Sequence, residues 1–288
     1  MSLGPSSPTH SMPDLLLPGG GRWDMALLAL SLILAELLWT RLRREEGYDL
    51  GETAASLGLS LGGRVVSILS AALLIAPLTW IHQFRLFDLP AGSLWAFLLV
   101  FVLVDVCEYW HHRLAHRVRF LWAFHAVHHS STELNLSAAI RLGWGAFLFG
   151  GILFYLPLLL LGFTPAQVLG ALALNLAFQF FLHARWAPRL GPLEWLFNTP
   201  RHHRVHHASN AACLDRNFAG VFIVIDRLFG TFAAAPAGEA LRFGLTGGDR
   251  RPTRKPLAIL LLVWRQMAVD LRRAGDWRSR VAAVFGRP

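Results

Sequence analysis

The sequence predicts an all-α protein: multi-pass membrane helices beneath a cytoplasmic helical cap that holds a histidine-rich dinuclear metal site. Three observations lead there. Of 288 residues, 54% are hydrophobic and only 16% charged, whereas a soluble domain of this size carries about a quarter charged. The apolar residues gather into five long runs. Eleven of the 13 histidines fall between positions 111 and 207.

The chain opens with a Pro-, Ser- and Gly-rich segment, 1–22, expected to be a disordered tail. It has no basic stretch followed by a clean apolar one, so no signal peptide is expected. Membrane helices should then fill 23–104. The apolar runs are Trp23 to Thr40, Val65 to Ile81, Leu94 to Val106, Phe147 to Leu161 and Pro165 to Leu182. Crossing about 30 Å of hydrocarbon takes about 20 residues. The first, second and fifth runs come close and the third is short. The fourth and fifth are joined by "GFTP" and form a helical hairpin, 147–182, within a segment 105–232 that carries the histidines. Thr164 at N-cap, Pro165 at N1 and Gln167 at N3 make a capping box that opens the fifth helix. The last segment, 233–288, is basic; "LAILLLVW", too short to span, should lie in the interface.

Charge orients the chain. If all histidine clusters share one side, then a linker at 41–64, the segment 107–146 and everything after 183 share it too. Every one of the 27 Lys and Arg except Arg22 and Arg85 then falls on that side. Basic loops mark the cytoplasm, so a multi-pass protein, of the bacterial inner membrane, with cytoplasmic histidines is expected. The formal +9 is explained by topology, and no nucleic-acid partner is needed. The two cysteines, Cys107 and Cys213, sit in unlike settings and give no disulfide framework.

The histidines repeat a helical spacing. His112 and His116 are four apart; His125, His128 and His129 stand at i, i+3, i+4, as do His203, His206 and His207. Such positions share a helix face, so each group is expected to present its imidazoles to one point. Thr199 and Pro200 start a helix just before the last group. His183 ends the fifth run, below Asn175 and Gln179 on a polar face, and intramembrane polar residues are rarely accidental. His111 and His202 lie about 100° round their helices from His112 and His203 and are poorer ligand candidates. His10 and His82 are expected to be bystanders. So many converging imidazoles repel or desolvate one another unless something neutralises them, and a metal does; neutral imidazole suits Fe, Zn, Cu and Ni. Nine histidines exceed one ion, so two metals are inferred. Asp105, Glu108 and Asp215 are candidates to take the other N–H of the ligands; Asp105 and Glu108 read equally as carboxylates at a helix end. No HExxH, CxxCH or GxGxxG occurs.

"DVCEYWHHRLAH", "LWAFHAVHHSS" and "NTPRHHRVHH…LDRNFAG…DRLFGTF", between 105 and 232, resemble the fatty acid hydroxylase/sterol desaturase superfamily of membrane di-iron proteins. "QFFLHARWAPRLGPLEWLFNTPRHHRVHH" looks most like the alkylglycerol monooxygenases and their bacterial relatives. The resemblance implies that His112, His116, His125, His128, His129, His183, His203, His206 and His207 ligate two Fe ions. It implies hydroxylation or desaturation of a lipid that enters from the bilayer, with O2 and electrons from a separate ferredoxin-, cytochrome- or reductase-type donor. Arg117 departs from it: an acidic residue linked to a pterin reductant stands there in the monooxygenases. A bis-histidine haem cytochrome would instead need histidines facing one another within the spans, and a metal transport or storage protein would need ligands deep in several of them.

Overall fold

The structure, a computed structural model, describes residues 21–246 and 253–288. The expected tail, 1–22, lies almost wholly outside the described residues, as does His10. Among the described residues there are thirteen α-helices and two 3-10 turns. Among the described residues there is no strand, only an isolated bridge between Ala208 and Phe243. In chain order the helices are α1 Gly21–Leu42, α2 Leu50–His82, α3 Leu94–Ala115, α4 Arg119–His129, α5 Leu136–Ala139, α6 Leu156–Leu161, α7 Pro165–Leu182, α8 Leu193–Leu196, α9 Pro200–His207, α10 Val224–Leu228, α11 Pro256–Leu260, α12 Leu262–Arg273 and α13 Trp277–Phe285.

Helices α1, α2, α3 and α7 are long and apolar enough to cross a membrane. They turn large apolar side chains outward: Leu61 is 71% exposed and Leu94 72%. Water would oppose such a surface; a lipid shell accommodates it. Inside, Val100 and Val104 of α3 pack with Tyr155, Leu159, Phe163, Val168 and Leu172. The capping box of α7 forms as the sequence predicts: the amide of Gln167 donates to the Thr164 hydroxyl at 3.2 Å, and the amide of Thr164 donates to the Gln167 side chain at 2.9 Å.

Three expectations are corrected. The stretch 41–64 is not a linker. Helix α2 begins at Leu50, where the Asp49 carboxylate accepts from the amide of Glu52 at 2.9 Å, and runs for 33 residues. The Gly and Ser residues of 50–64 read as a loop, yet one side of that stretch buries Ala55 and Leu59 against Val127 and Ile259, and this packing outweighs weak helix propensity. Arg64 therefore stands on α2, about 21 Å along it from Leu50. The fourth apolar run is not one arm of a helical hairpin. It descends as turns, a 3-10 segment Gly151–Phe154 and the short α6. Gly145 at φ +82° and Gly150 at φ +139° interrupt any helix there. The basic C-terminal helix is broken at Leu261, between α11 and α12. Its inner side places Val263 and Met267 against Ala123 and Ala126 of α4, which buttresses the histidine-bearing helix from behind.

Candidate metal centre

Four elements deliver the histidines. The last turn of α3 carries His112, and His116 caps that helix. α4 carries His125, His128 and His129. His183 caps α7. α9 carries His203, His206 and His207 and starts at Pro200 after Thr199, although the Thr199 hydroxyl makes no cap bond. All nine are at most partly exposed, and seven of them, all but His116 and His125, are buried.

They form two groups. His112, His116, His125, His129 and His206 make one; His128, His183, His203 and His207 make the other. In the first, the Nε2 atoms of His112 and His125 lie 2.9 Å apart, His125 and His129 3.1 Å, and His129 and His206 3.1 Å. In the second, His128 and His183 are 3.1 Å apart, His183 and His203 3.1 Å, and His203 and His207 3.0 Å.

The grouping corrects the expectation that each triplet aims at one point. On both α4 and α9 the i, i+4 pair enters one group and the i+3 histidine enters the other. His125 and His129 join the first group and His128 the second; His203 and His207 join the second and His206 the first. The reason is angular. Positions i+3 and i+4 are neighbours in sequence and stand about 100° apart round the helix, so one ion cannot lie in front of both.

Ring tautomers decide what the groups can do. The Nδ1 of His112 lies 2.7 Å from the carbonyl oxygen of Phe218, that of His206 2.8 Å from Arg216, that of His128 3.3 Å from Arg141 and that of His183 2.9 Å from Gln179. A carbonyl only accepts, so each Nδ1 bears the proton and each Nε2 of these neutral rings is a bare lone pair. His128 and His183 thus point two lone pairs at each other across 3.1 Å. No proton bridges them, and a cation between them resolves the conflict. Nitrogens bound at about 2.1 Å to one octahedral ion sit about 3.0 Å apart along an edge, which is the spacing seen in both groups. The chemistry of the donors in each group therefore suits a metal ion.

Burial keeps the rings neutral. It is the first cause that pushes His116, His125, His128, His129, His203, His206 and His207 well below the ordinary imidazole pKa; neighbouring imidazoles add to it. Burial likewise lowers His183 to about 4.

The other expected residues fall as follows. His111 stands 3.6 Å from Glu108 and packs against Phe154; His202 packs edge-on to Phe232. Both lie outside the two groups, and His82 sits beside the carbonyl of Leu159. Asp215 lies 3.8 Å from Nδ1 of His116. Glu108 accepts from the Tyr155 hydroxyl at 2.5 Å. Asp105 is bonded to no imidazole among the described residues: it accepts from the amides of Val221 and Phe222 and from Asn175. Sequence reasoning missed the backbone carbonyls that hold the rings, since a carbonyl leaves no residue-type signal. It also missed Glu52, Arg141 and Asp226, which are fully or almost fully buried; Arg141, one cation in the otherwise uncharged "LNLSAAIRLGWGAF", was the available clue.

Apolar helices and two buried or half-buried imidazole groups able to hold metal define a histidine-box protein of the membrane-helix type. Residues 97–231 match the family model described as fatty acid hydroxylase. An ornithine lipid hydroxylase of Rhizobium tropici is 30% identical, with 77% of this chain and 69% of that protein covered. The chain belongs to the fatty acid hydroxylase family. Alkylglycerol monooxygenases of Danio rerio and Homo sapiens are 38% and 39% identical, each match covering 75% of this chain and 48% of the relative. The chain thus spans about half the length of the monooxygenases it matches. No solved structure matches it.

Proposed function

We propose that this chain is a membrane-bound oxygenase that hydroxylates a lipid, using O2 and two electrons from a separate donor. The overall change is R–H + O2 + 2e⁻ + 2H⁺ → R–OH + H2O. The observation that carries the reading is the convergence of nine buried or half-buried imidazoles into a group of five and a group of four, with Nε2 atoms of neighbouring rings about an octahedral edge apart. Two irons, when bound there, supply the activation of O2. The relatives' names, a monooxygenase and a lipid hydroxylase, favour hydroxylation over desaturation.

The chain's own residues have separable tasks. The nine histidines hold the metals. The carbonyls of Phe218, Arg216, Arg141 and Gln179 fix ring tautomers so that Nε2 faces inward. The outward apolar surfaces of α1, α2, α3 and α7 keep the centre at the bilayer, where a lipid chain reaches it without crossing water. The basic surface, on the cytoplasmic side, suits a soluble acidic donor of the ferredoxin, cytochrome or reductase type. A haem reading fares worse: imidazole nitrogens about 3 Å apart leave no room for a porphyrin between them.

The test is purified protein loaded with iron, supplied with a reductant and 18O2 in the presence of membrane lipid. The expected product is a lipid carrying one 18O atom. Lipid products bearing no oxygen from 18O2, from protein with full iron and a working donor, would overturn the reading.

A further inference from the structure

The two metal groups are supported from behind by different buried carboxylates. Around the five-histidine group, the supporting contacts come from one loop. Asp215 stands beside His116, and the carbonyls of Arg216 and Phe218 take the N–H of His206 and His112. That loop turns through the left-handed region at Asp215 and Asn217, with φ +57° and +56°, which Asp and Asn tolerate better than other residues with a side chain. What holds it is Asp226, fully buried. Its carboxylate accepts from the amides of Phe218 and Ala219, each at 2.8 Å, and from the Thr231 hydroxyl at 2.7 Å. Asp105 grips two amides further along, Val221 and Phe222, each at 2.8 Å. The Asn217 side chain bonds the carbonyls of His202 and Ala233.

The four-histidine group is braced from the other side of the cap. Arg141 is 1% exposed, and its carbonyl takes the N–H of His128. Its guanidinium bonds Ser130 at 3.0 Å and Glu52 of α2 at 3.3 Å. Glu52, also buried, takes the hydroxyls of Ser131 and Thr132, each at 2.6 Å, and the amide of Thr132. A buried anion, a buried cation and the segment 130–132 that follows His129 are thus bound together directly behind His128.

We infer that Asp226 and Glu52 are positioning residues of separate metal sites: Asp226 sets the five-histidine site through the 215–222 loop, and Glu52 sets the four-histidine site through Arg141. The inference rests on the two-metal reading above. An isosteric amide leaves each pocket filled but loses an acceptor: Asp226→Asn cannot receive all three donors, and Glu52→Gln leaves the buried Arg141 charge without its carboxylate partner.

The experiment uses the full chain loaded with 57Fe and read by iron content and Mössbauer spectra. His112→Ala and His183→Ala, each a member of one group only, assign the two quadrupole doublets. Asp226→Asn should roughly halve bound iron and change or remove the five-histidine doublet while the other persists. Glu52→Gln should do the reverse. Thr231→Val is the milder probe and should weaken iron binding at the five-histidine site about tenfold, with recovery in Thr231→Ser. Variants that disturb both doublets alike, or neither, would overturn the inference. Wild-type protein with iron in one group alone would sink the two-metal reading itself, whatever the variants do.

Discussion

The five-histidine and four-histidine groups share two helices and differ in the third. Both draw on α4 and α9; α3 contributes only to the first and α7 only to the second. The two HxxHH helices use the motif in opposite senses: the i, i+4 pair of α4 serves the five-histidine group, and that of α9 serves the four-histidine group. Each shared helix therefore contributes to both groups, while α3 and α7 each serve one. The histidine motif is a unit for building a pair of sites, and a single helix cannot fill either alone.

The largest expected effect breaks that division directly. His203→Ala should strip the four-histidine group and His206→Ala the five-histidine group, although the two residues lie on one short helix. Each should reduce turnover by more than about 100-fold and bring the metal count from two towards one. His202→Ala, on the same helix, should keep both metals and most activity, as should His111→Ala. Metal analysis and turnover on membranes of matched expression decide it. Loss of a metal in His202→Ala together with its retention in His203→Ala would show that the register of α9 is shifted by one residue.

A second, intermediate effect concerns pH and treats the groups together. In the unfolded chain an imidazole takes its proton near pH 6.5; in the fold, burial and neighbouring imidazoles hold these rings to lower values, His183 to about 4. Between those limits the unfolded state binds more protons, so stability falls as pH drops. Metal-stripped protein should lose thermal stability progressively from about pH 6.5 down to pH 4 and below, with little change from pH 7 to 8. Bound metal competes with protons and should move the loss to lower pH. A melting temperature flat from pH 7 to 4 in stripped protein would mean that the imidazoles are not held neutral by the fold.

Much of the site was legible because helical periodicity is local. The spacing of His112, His116, His125, His128, His129, His203, His206 and His207 identifies ring-bearing faces, and Asn175, Gln179 and His183 mark a polar stripe on an apolar helix. The split of each HxxHH helix between two ions was less visible, because a triplet on one face looks like one site until the 100° step from i+3 to i+4 is applied to real ligand distances. Glu52 and Asp226 were out of reach for another reason: a buried carboxylate owes its role to donors far along the chain, such as Thr132 and Arg141 for Glu52. In the fold, α1 and α7 announced themselves by apolar length, whereas the third run looked short because α3 continues past Val106 into the polar, histidine-bearing stretch up to Ala115. The first half of α2 did not stand out, because Gly51, Gly58, Gly62 and Gly63 weaken its pattern while tertiary contacts maintain the helix.

The smallest expected effect tests whether the two ends of α7 are independent. Thr164 caps the start of this helix and His183 its end; 18 residues separate them by about 27 Å. Thr164→Ala removes the acceptor for the Gln167 amide and should cost about 1 kcal/mol, read as a melting temperature lower by a few degrees. The lost bond sits in the first turn, and fraying there stops where α7 packs along α3 through Val168 and Leu172. His183 remains anchored by its own bond to the Gln179 carbonyl at 2.9 Å. Iron in the four-histidine group should therefore be unchanged in Thr164→Ala. A measurable loss of that iron would mean that α7 moves as a rigid lever, and that the four-histidine group, unlike its five-histidine neighbour, responds to the far side of the membrane.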